Sequence, residues 1–132
     1  MPDIVQEIVG MHDIAASETT NSYVILPGAV KGDLLTVRIQ YVNAKQASGS
    51  GVWTFTAQVS YDKGGTWTTV GTGAAITLTA AAQDGEQSLS FVPGTIPVSG
   101  QTWVQVLATL TGSPVTPALA YRADLLLANP LL

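Results

Sequence analysis

Two stretches of the chain alternate between apolar and polar residues with a period of two. They cover residues 34–42 and 52–61. Successive side chains of a β-strand point to opposite faces of a sheet, so each stretch is predicted to be a half-buried strand. The side chains predicted to face the core are Leu35, Val37, Ile39 and Tyr41 in the first stretch and Trp53, Phe55, Ala57, Val59 and Tyr61 in the second.

Shorter apolar runs, separated by turn residues, continue this pattern along the rest of the chain. Asp84-Gly85 is a dipeptide typical of hairpin turns. About eight or nine short strands and no helix are predicted. The predicted fold class is all-β, a single antiparallel β-sandwich of jelly-roll or immunoglobulin-like type with an extended N-terminal arm. The further strands are predicted within residues 22–28, 66–71, 74–80, 87–94, 102–110 and 118–128.

The N-terminal segment, residues 1–16, fits this alternation less well. Ile4, Ile8 and Met11 would share one face of a helix, but Gly10 and the β-branched residues disfavour helix. We therefore expect an extended arm or edge strand. The predicted organisation is an N-terminal arm at 1–16 followed by one β-sandwich domain at 17–132.

The stretch "SYDKGGTW", residues 60–67, joins two predicted strands. It resembles the Asp-box motif, S-x-D-x-G-x-T-W, of sialidases and other β-propeller proteins, in which the motif is a structural turn. Asp62 can accept hydrogen bonds from backbone N–H groups of the turn, and Gly64 or Gly65 can adopt a positive φ. The sialidase activity does not carry over, because that family uses three arginines and this chain has two. We predict a structural turn formed by Ser60, Asp62, Gly64, Thr66 and Trp67.

Composition narrows the classes of function. Charged residues make up 11% of the chain, against roughly 25% in an average globular domain. The net charge is −4 and no basic run occurs, which disfavours nucleic acid as a partner. No apolar run approaches the roughly 20 residues that span a bilayer and no signal peptide is evident, so we expect no membrane association. So few charges suggest an exterior that a partner covers.

No residue pattern points to catalysis, a cofactor or a metal. The chain has no cysteine and a single histidine, His12, next to Asp13. A lone histidine cannot form a histidine-rich metal site, and no serine lies in a nucleophile-elbow sequence. Asp84 and Glu86 are expected at a solvated hairpin tip. We therefore predict that the protein is not an enzyme and has no catalytic, metal-binding or cofactor-binding residues.

Two further groups of residues have weaker functional interpretations. Arg122 and Asp124 lie two apart on one strand face, where a surface ion pair is expected. Of the three tryptophans, Trp53 is predicted to lie in the core and Trp67 in the turn, while Trp103 remains a candidate for a carbohydrate platform.

The chain as a whole resembles the decoration, or cement, proteins on the capsids of tailed bacteriophages. The resemblance rests on an apolar N-terminal arm, the central "VSYDKGGTWTTV" and the closing "YRADLLLANPLL". It implies a homo-oligomer, with a trimer favoured, that binds the major capsid protein or other virion subunits. The implied location is the capsid surface of the virion, after synthesis in the host cytoplasm. The residues expected to contact partners are Ile4, Val5, Ile8, Val9, Met11, Leu131 and Leu132.

Two functions remain open from the sequence. The first is a structural virion protein that binds and stabilises a capsid by mass action. The alternative is a carbohydrate- or cell-surface-binding β-sandwich module of a phage fibre or adhesin, which the three tryptophans favour.

Overall fold

A computed structural model describes residues 4–20, 24–27, 34–92 and 101–127. Every regular element within these ranges is a β-strand, which confirms the all-β prediction. The described residues contain no helix that could span a membrane. The strands are β1 (Ile4–Ile14), β2 (Glu18–Thr19), β3 (Val24–Pro27), β4 (Leu35–Lys45), β5 (Ser48–Gly49), β6 (Val52–Ser60), β7 (Thr68–Thr72), β8 (Ile76–Thr77), β9 (Gln83–Phe91), β10 (Gln101–Thr111), β11 (Pro114–Val115) and β12 (Ala118–Leu127).

Ten of the strands form two antiparallel sheets that pack face to face, and β5 pairs with β11 in a third, two-stranded sheet. Sheet A has the order β1-β12-β4-β9, and sheet B has the order β2-β10-β6-β7, with β3 pairing β10 and β8 pairing β6. If β2 with β3 and β7 with β8 each count as one interrupted strand, and the short β5 and β11 are left out of the count, the sheets read 1-8-3-6 and 2-7-4-5. This is the strand order of a jelly roll. The fold is therefore a jelly-roll-like β-sandwich.

The alternating patterns of β4 and β6 produce the core, as predicted. Leu35, Val37 and Ile39 are fully buried, and polar residues between them face outward. On β6 the inward residues from Trp53 to Val59 are also fully buried. Burial of these side chains between two sheets removes their apolar surface from water, which is the main force that stabilises the sandwich.

The N-terminal segment is a strand of the sandwich. Residues 4–14 form β1, which pairs with β12 along the edge of sheet A. This agrees with the predicted alternative of an edge strand, and Ile8 attaches the strand to the core, since it is only 2% exposed. The division into an arm at 1–16 and a domain at 17–132 stays a prediction.

The predicted hairpin turn at Asp84-Gly85 is wrong. Both residues lie within β9, where Gly85 is paired with Tyr41 of β4. A Cβ on Gly85 would lie 2.5 Å from the Tyr41 hydroxyl oxygen, so this position needs glycine because the tyrosine ring crosses it. Glu86 likewise lies on the strand rather than at a hairpin tip.

Candidate functional site

The turn at residues 60–67 is held by hydrogen bonds among its own residues. Ser60 Oγ donates to Asp62 Oδ1 at 2.8 Å and accepts the Gly64 N–H at 2.8 Å. Asp62 Oδ1 also accepts the Thr66 N–H at 2.8 Å. The bonds from Ser60 and Thr66 lower the pKa of Asp62. These polar groups are occupied by the turn itself, which supports a structural role.

Gly64 of this turn lies against two tryptophan rings. A Cβ built on Gly64 would be 3.4 Å from Cζ3 of Trp103 and 3.7 Å from Cζ2 of Trp67. Its φ of +86° is a left-handed conformation that favours glycine. Trp103 points outward from β10, is partly exposed, and donates its indole N–H to Gln101 Oε1 at 3.2 Å. The turn therefore helps to position an outward-facing tryptophan.

The residues predicted to contact partners do not share one surface. Val5 and Met11 are 54% and 49% exposed, as a partner contact requires. Ile8 is a core residue and Val9 is partly buried against the core, because β1 packs onto the sandwich. The other predicted contacts, Leu131, Leu132 and the side chain of Ile4, lie outside the described residues.

An apolar strip crosses one end of the outer face of sheet A. Val5, Leu34 and Val92 are 54%, 47% and 55% exposed. Val5 pairs with Leu126, which is partly exposed on the neighbouring strand. Leu34 and Val92 adjoin the buried pair Leu35–Phe91, so alternation places them on the outer face. Sequence reasoning found Val5 but missed the other members, because strand pairing brings them together.

A charge cluster borders this strip on the same face. Asp124 is only 1% exposed and lies between two arginines. Its Oδ2 is 3.3 Å from Arg38 Nη2, and its Oδ1 is 3.0 Å from Arg122 Nη2. Glu86 and Glu7 lie 3.7 and 4.0 Å from Arg38 and Arg122. Hydrogen bonding to Asp124 and its charge raise the pKa of Arg122. The pair of Arg122 and Asp124 was predicted to be a weak surface ion pair, but its carboxylate is buried.

His12 joins the two sheets through Glu18. Its Nε2 lies 2.6 Å from Glu18 Oε1, which also accepts the Tyr121 hydroxyl at 2.8 Å. Its Nδ1 lies 2.8 Å from the carbonyl oxygen of Gly10. Burial would lower the pKa of His12, but the bonds to Glu18 and Gly10 outweigh it and raise that pKa. Burial and the bond to Glu18 raise the pKa of Tyr121.

This histidine cluster is better suited to a structural role than to catalysis. Both ring nitrogens of His12 face oxygen acceptors, which favours the doubly protonated ring. The adjacent rings of His12 and Tyr121 have centroids 4.7 Å apart. Among the described residues, no group of three or more His, Cys, Asp or Glu side chains is placed to hold a metal ion.

Comparison with known proteins supports the fold and no family. No protein-family model and no curated protein matches the chain. An insecticidal delta-endotoxin from Bacillus thuringiensis superposes with a TM-score of 0.53 and 15% identity over 89% of this chain. The infectious bursal disease virus Gx strain gives a TM-score of 0.52 and 12% identity over 96% of this chain.

Carbohydrate-binding modules share the same architecture. The CBM22-1–GH10 modules of an endo-1,4-β-D-xylanase from Clostridium thermocellum, solved with xylohexaose, give a TM-score of 0.50 and 9% identity over 96% of this chain. The chain spans only 19%, 31% and 29% of the endotoxin, virus and xylanase chains. At these identities the comparison supports the fold alone, a β-sandwich shared by viral capsid domains and carbohydrate-binding modules.

Proposed function

We propose that this protein is a structural virion subunit that binds an assembled capsid as a decoration protein and stabilises it. The observation that carries the proposal is the apolar strip of Val5, Leu34, Val92 and Leu126 on the outside of sheet A. Three of its side chains are about half exposed, so a partner that covers them gains the free energy of removing apolar surface from water.

The charge cluster beside the strip gives such an interface its specificity. Protein interfaces combine an apolar centre with a polar rim, and the rim selects partners by charge. Glu7 of the cluster lies two residues from Val5 on β1, so the two surfaces are continuous. The ion pairs that hold Arg38 and Arg122 fix the rim before binding.

The expected partners are the major capsid protein or other virion subunits. We place the protein on the capsid surface of the virion, after synthesis in the host cytoplasm, as a homo-oligomer with a trimer favoured. A jelly roll also occurs in viral capsid domains, which agrees with a structural role but does not identify the partner. A subunit that binds only the assembled shell stabilises it in proportion to its binding free energy.

The proposal is tested on virus particles produced from a genome that encodes this chain. We expect mass spectrometry to detect the chain in purified particles. Recombinant protein should bind saturably to particles from which the gene has been deleted, and it should raise their temperature of disruption. Light scattering of the free protein should give three times the mass of the chain. The proposal would be contradicted if the chain were absent from particles that carry the gene, or if the recombinant protein did not bind particles that lack it.

Two variants locate the binding surface. Val5→Asp places a charge in the strip and should weaken binding to the particles. Val115→Asp is the matched control, because Val115 is 52% exposed but lies on β11, which pairs with β5 and is not a strand of sheet A. If both variants lose binding equally, or if neither loses binding, the apolar strip is not part of the interface.

A further inference from the structure

The outer face of sheet B differs chemically from that of sheet A. Its two central strands, β6 and β10, place uncharged polar side chains outward, with Trp103 near one end. The charge cluster around Asp124 lies on strands of sheet A. We call this surface of sheet B the neutral face; its described members on these strands are Thr54, Thr56, Gln58, Trp103, Gln105, Leu107 and Thr109.

A row of polar groups crosses the middle of the neutral face. Gln105 Nε2 donates to Gln58 Oε1 at 2.8 Å, and Gln58 Nε2 is 3.3 Å from Thr69 Oγ1 on β7. These bonds hold both amides in place on three adjacent strands. Gln105 is only 9% exposed and supports Gln58, which is partly exposed. A primary amide has two N–H donors and an oxygen that accepts two bonds, so Gln58 keeps capacity for a ligand.

Trp103 lies on the same strand as Gln105, two residues away. Outward side chains two residues apart on a strand are separated by about 6.6–6.8 Å. The bond to Gln101 and the contact with Gly64 fix the indole ring, which is partly exposed on this face. A fixed aromatic ring beside fixed amides combines an apolar surface with directional hydrogen bonds.

A shallow groove continues the neutral face beyond Gln105. It has a volume of about 230 Å³ and lies between β2 and β10. Its lining includes Thr19, Leu107 and Thr109, and also Glu18, whose carboxylate is bonded to His12 and Tyr121. From Trp103 to Leu107 along β10 the path is about 13 Å long. The face therefore offers an aromatic ring, the amide of Gln58 and threonine residues along β6 and β10.

This chemistry fits a polyhydroxyl ligand better than a protein or a nucleic acid. A nucleic acid needs cations for its phosphates, and the members of the neutral face carry none. The centre of a protein interface is usually apolar, and burying amides and hydroxyls without hydrogen bonds is costly. A sugar supplies hydroxyl groups that donate and accept, and C–H surfaces that pack on an indole ring.

We propose that the neutral face of sheet B binds an uncharged glycan chain that runs along β10, with Trp103 packing on one sugar and Gln58, held in place by Gln105, hydrogen-bonding the next. This surface is separate from the apolar strip of sheet A. The inference goes beyond the proposed virion function and does not depend on it, since one sheet face would bind the glycan while the opposite one binds the capsid.

The test is affinity electrophoresis of the intact protein in gels that contain one polysaccharide each. The neutral probes are linear β-glucan, xylan, galactomannan and dextran, and the acidic probe is polygalacturonate. We expect at least one neutral polysaccharide to retard the protein. No retardation by any neutral probe, or retardation by polygalacturonate alone, would overturn the proposal.

Matched variants assign the binding to the face. Trp103→Ala should weaken binding to the retarding polysaccharide by about tenfold or more. Gln58→Ala leaves the tryptophan and its turn intact and should weaken binding severalfold. Gln40→Ala, a partly exposed glutamine on sheet A, should bind like the wild type. Circular dichroism and thermal melts identify any variant that does not fold. If Trp103→Ala does not fold, the affinity of Gln58→Ala decides whether the neutral face binds the glycan. Wild-type affinity in both neutral-face variants would overturn the proposal.

The same experiment separates the two proposed surfaces. Val5→Asp should retain glycan binding while it weakens binding to virus particles. Gln58→Ala should show the opposite pattern. If both variants lose glycan binding to the same extent, the neutral face is not the site.

Discussion

His12 Nε2 lies 2.6 Å from Glu18 Oε1, and this contact joins the first strand of sheet A to the first strand of sheet B. The two residues are six positions apart in sequence, on either side of the point where the chain crosses between the sheets. Tyr121 donates to the same carboxylate oxygen from β12. One carboxylate thus connects three strands at the corner of the sandwich.

This contact predicts that stability depends on pH near neutrality. Burial would lower the pKa of His12, but the bonds to Glu18 and Gly10, with the charges of Glu18 and Asp13, raise it above 6.5. The folded protein therefore holds the histidine proton more tightly than the unfolded chain. The resulting stabilisation is fully present below the unfolded pKa and is lost as the pH rises through the folded pKa.

Chemical denaturation of the wild type and His12→Gln across this pH range measures the effect. The difference in free energy of unfolding between them should be largest below pH 6.5 and should shrink as the pH rises. Glu18→Gln should flatten the pH dependence as well. A difference that stays constant or grows with pH would contradict the assignment.

Period-two alternation predicted most of the strands and their inward faces, because the direction of a strand side chain is set locally. The faces of β4 and β6 are examples. Strand pairing is not local, so the sequence did not distinguish a jelly roll from an immunoglobulin-like sandwich. The dipeptide Asp84-Gly85 was misleading for the same reason, since the ring of Tyr41 from another strand explains the glycine.

The candidate sites were predictable to the extent that their contacts are local. The hydrogen bonds of the turn span at most four residues, from Ser60 to Gly64 and from Asp62 to Thr66. The apolar strip, the charge cluster and the neutral face each combine residues from several strands, and only the sheet order brings them together. Low charge did suggest a covered surface, but it did not indicate which face.

Removal of the Ser60 hydroxyl tests the structural role of the turn. Ser60 is buried, and its Oγ bonds both Asp62 and the Gly64 backbone. Ser60→Ala should lower the free energy of unfolding by about 1–2 kcal/mol, because a backbone N–H loses its partner. Tryptophan fluorescence should also change, since Gly64 contacts Trp103. Ser88→Ala, at an exposed serine of β9, should change neither the free energy of unfolding nor the fluorescence. If the two variants give the same values, Ser60 does not have the structural role assigned to it.

Loss of the charge on Asp124 tests the charge cluster. Asp124→Asn should destabilise the protein by about 2 kcal/mol, because Arg38 and Arg122 lose the carboxylate they share. The cost is below that of a fully buried ion pair, since the arginine side chains are 33% and 39% exposed and water screens them. Asp84→Asn is the matched control and should change stability little, because its amide oxygen can still accept the Asn43 N–H. Equal unfolding midpoints for both variants would show that the cluster adds no stability.

Gln46 is a buried amide whose side chain bonds three backbone groups. Its Nε2 donates to the carbonyl oxygens of Gly49 at 2.7 Å and Leu78 at 3.0 Å, and its Oε1 accepts the Gly51 N–H at 2.8 Å. The amide thus ties the loop after β4 to the segment that follows β8. Because the residue is only 5% exposed, water cannot replace these bonds without opening the loop.

Gln46→Leu should therefore lower the free energy of unfolding by about 2–3 kcal/mol, since it leaves the Gly51 N–H and the Leu78 carbonyl without their partner. Gln40→Leu makes the same chemical change at a partly exposed position on the outer face of sheet A and should cost little. Urea denaturation measures both, and hydrogen exchange at the Gly51 amide should accelerate only in Gln46→Leu. An unchanged exchange rate there would mean that the side chain does not hold the loop.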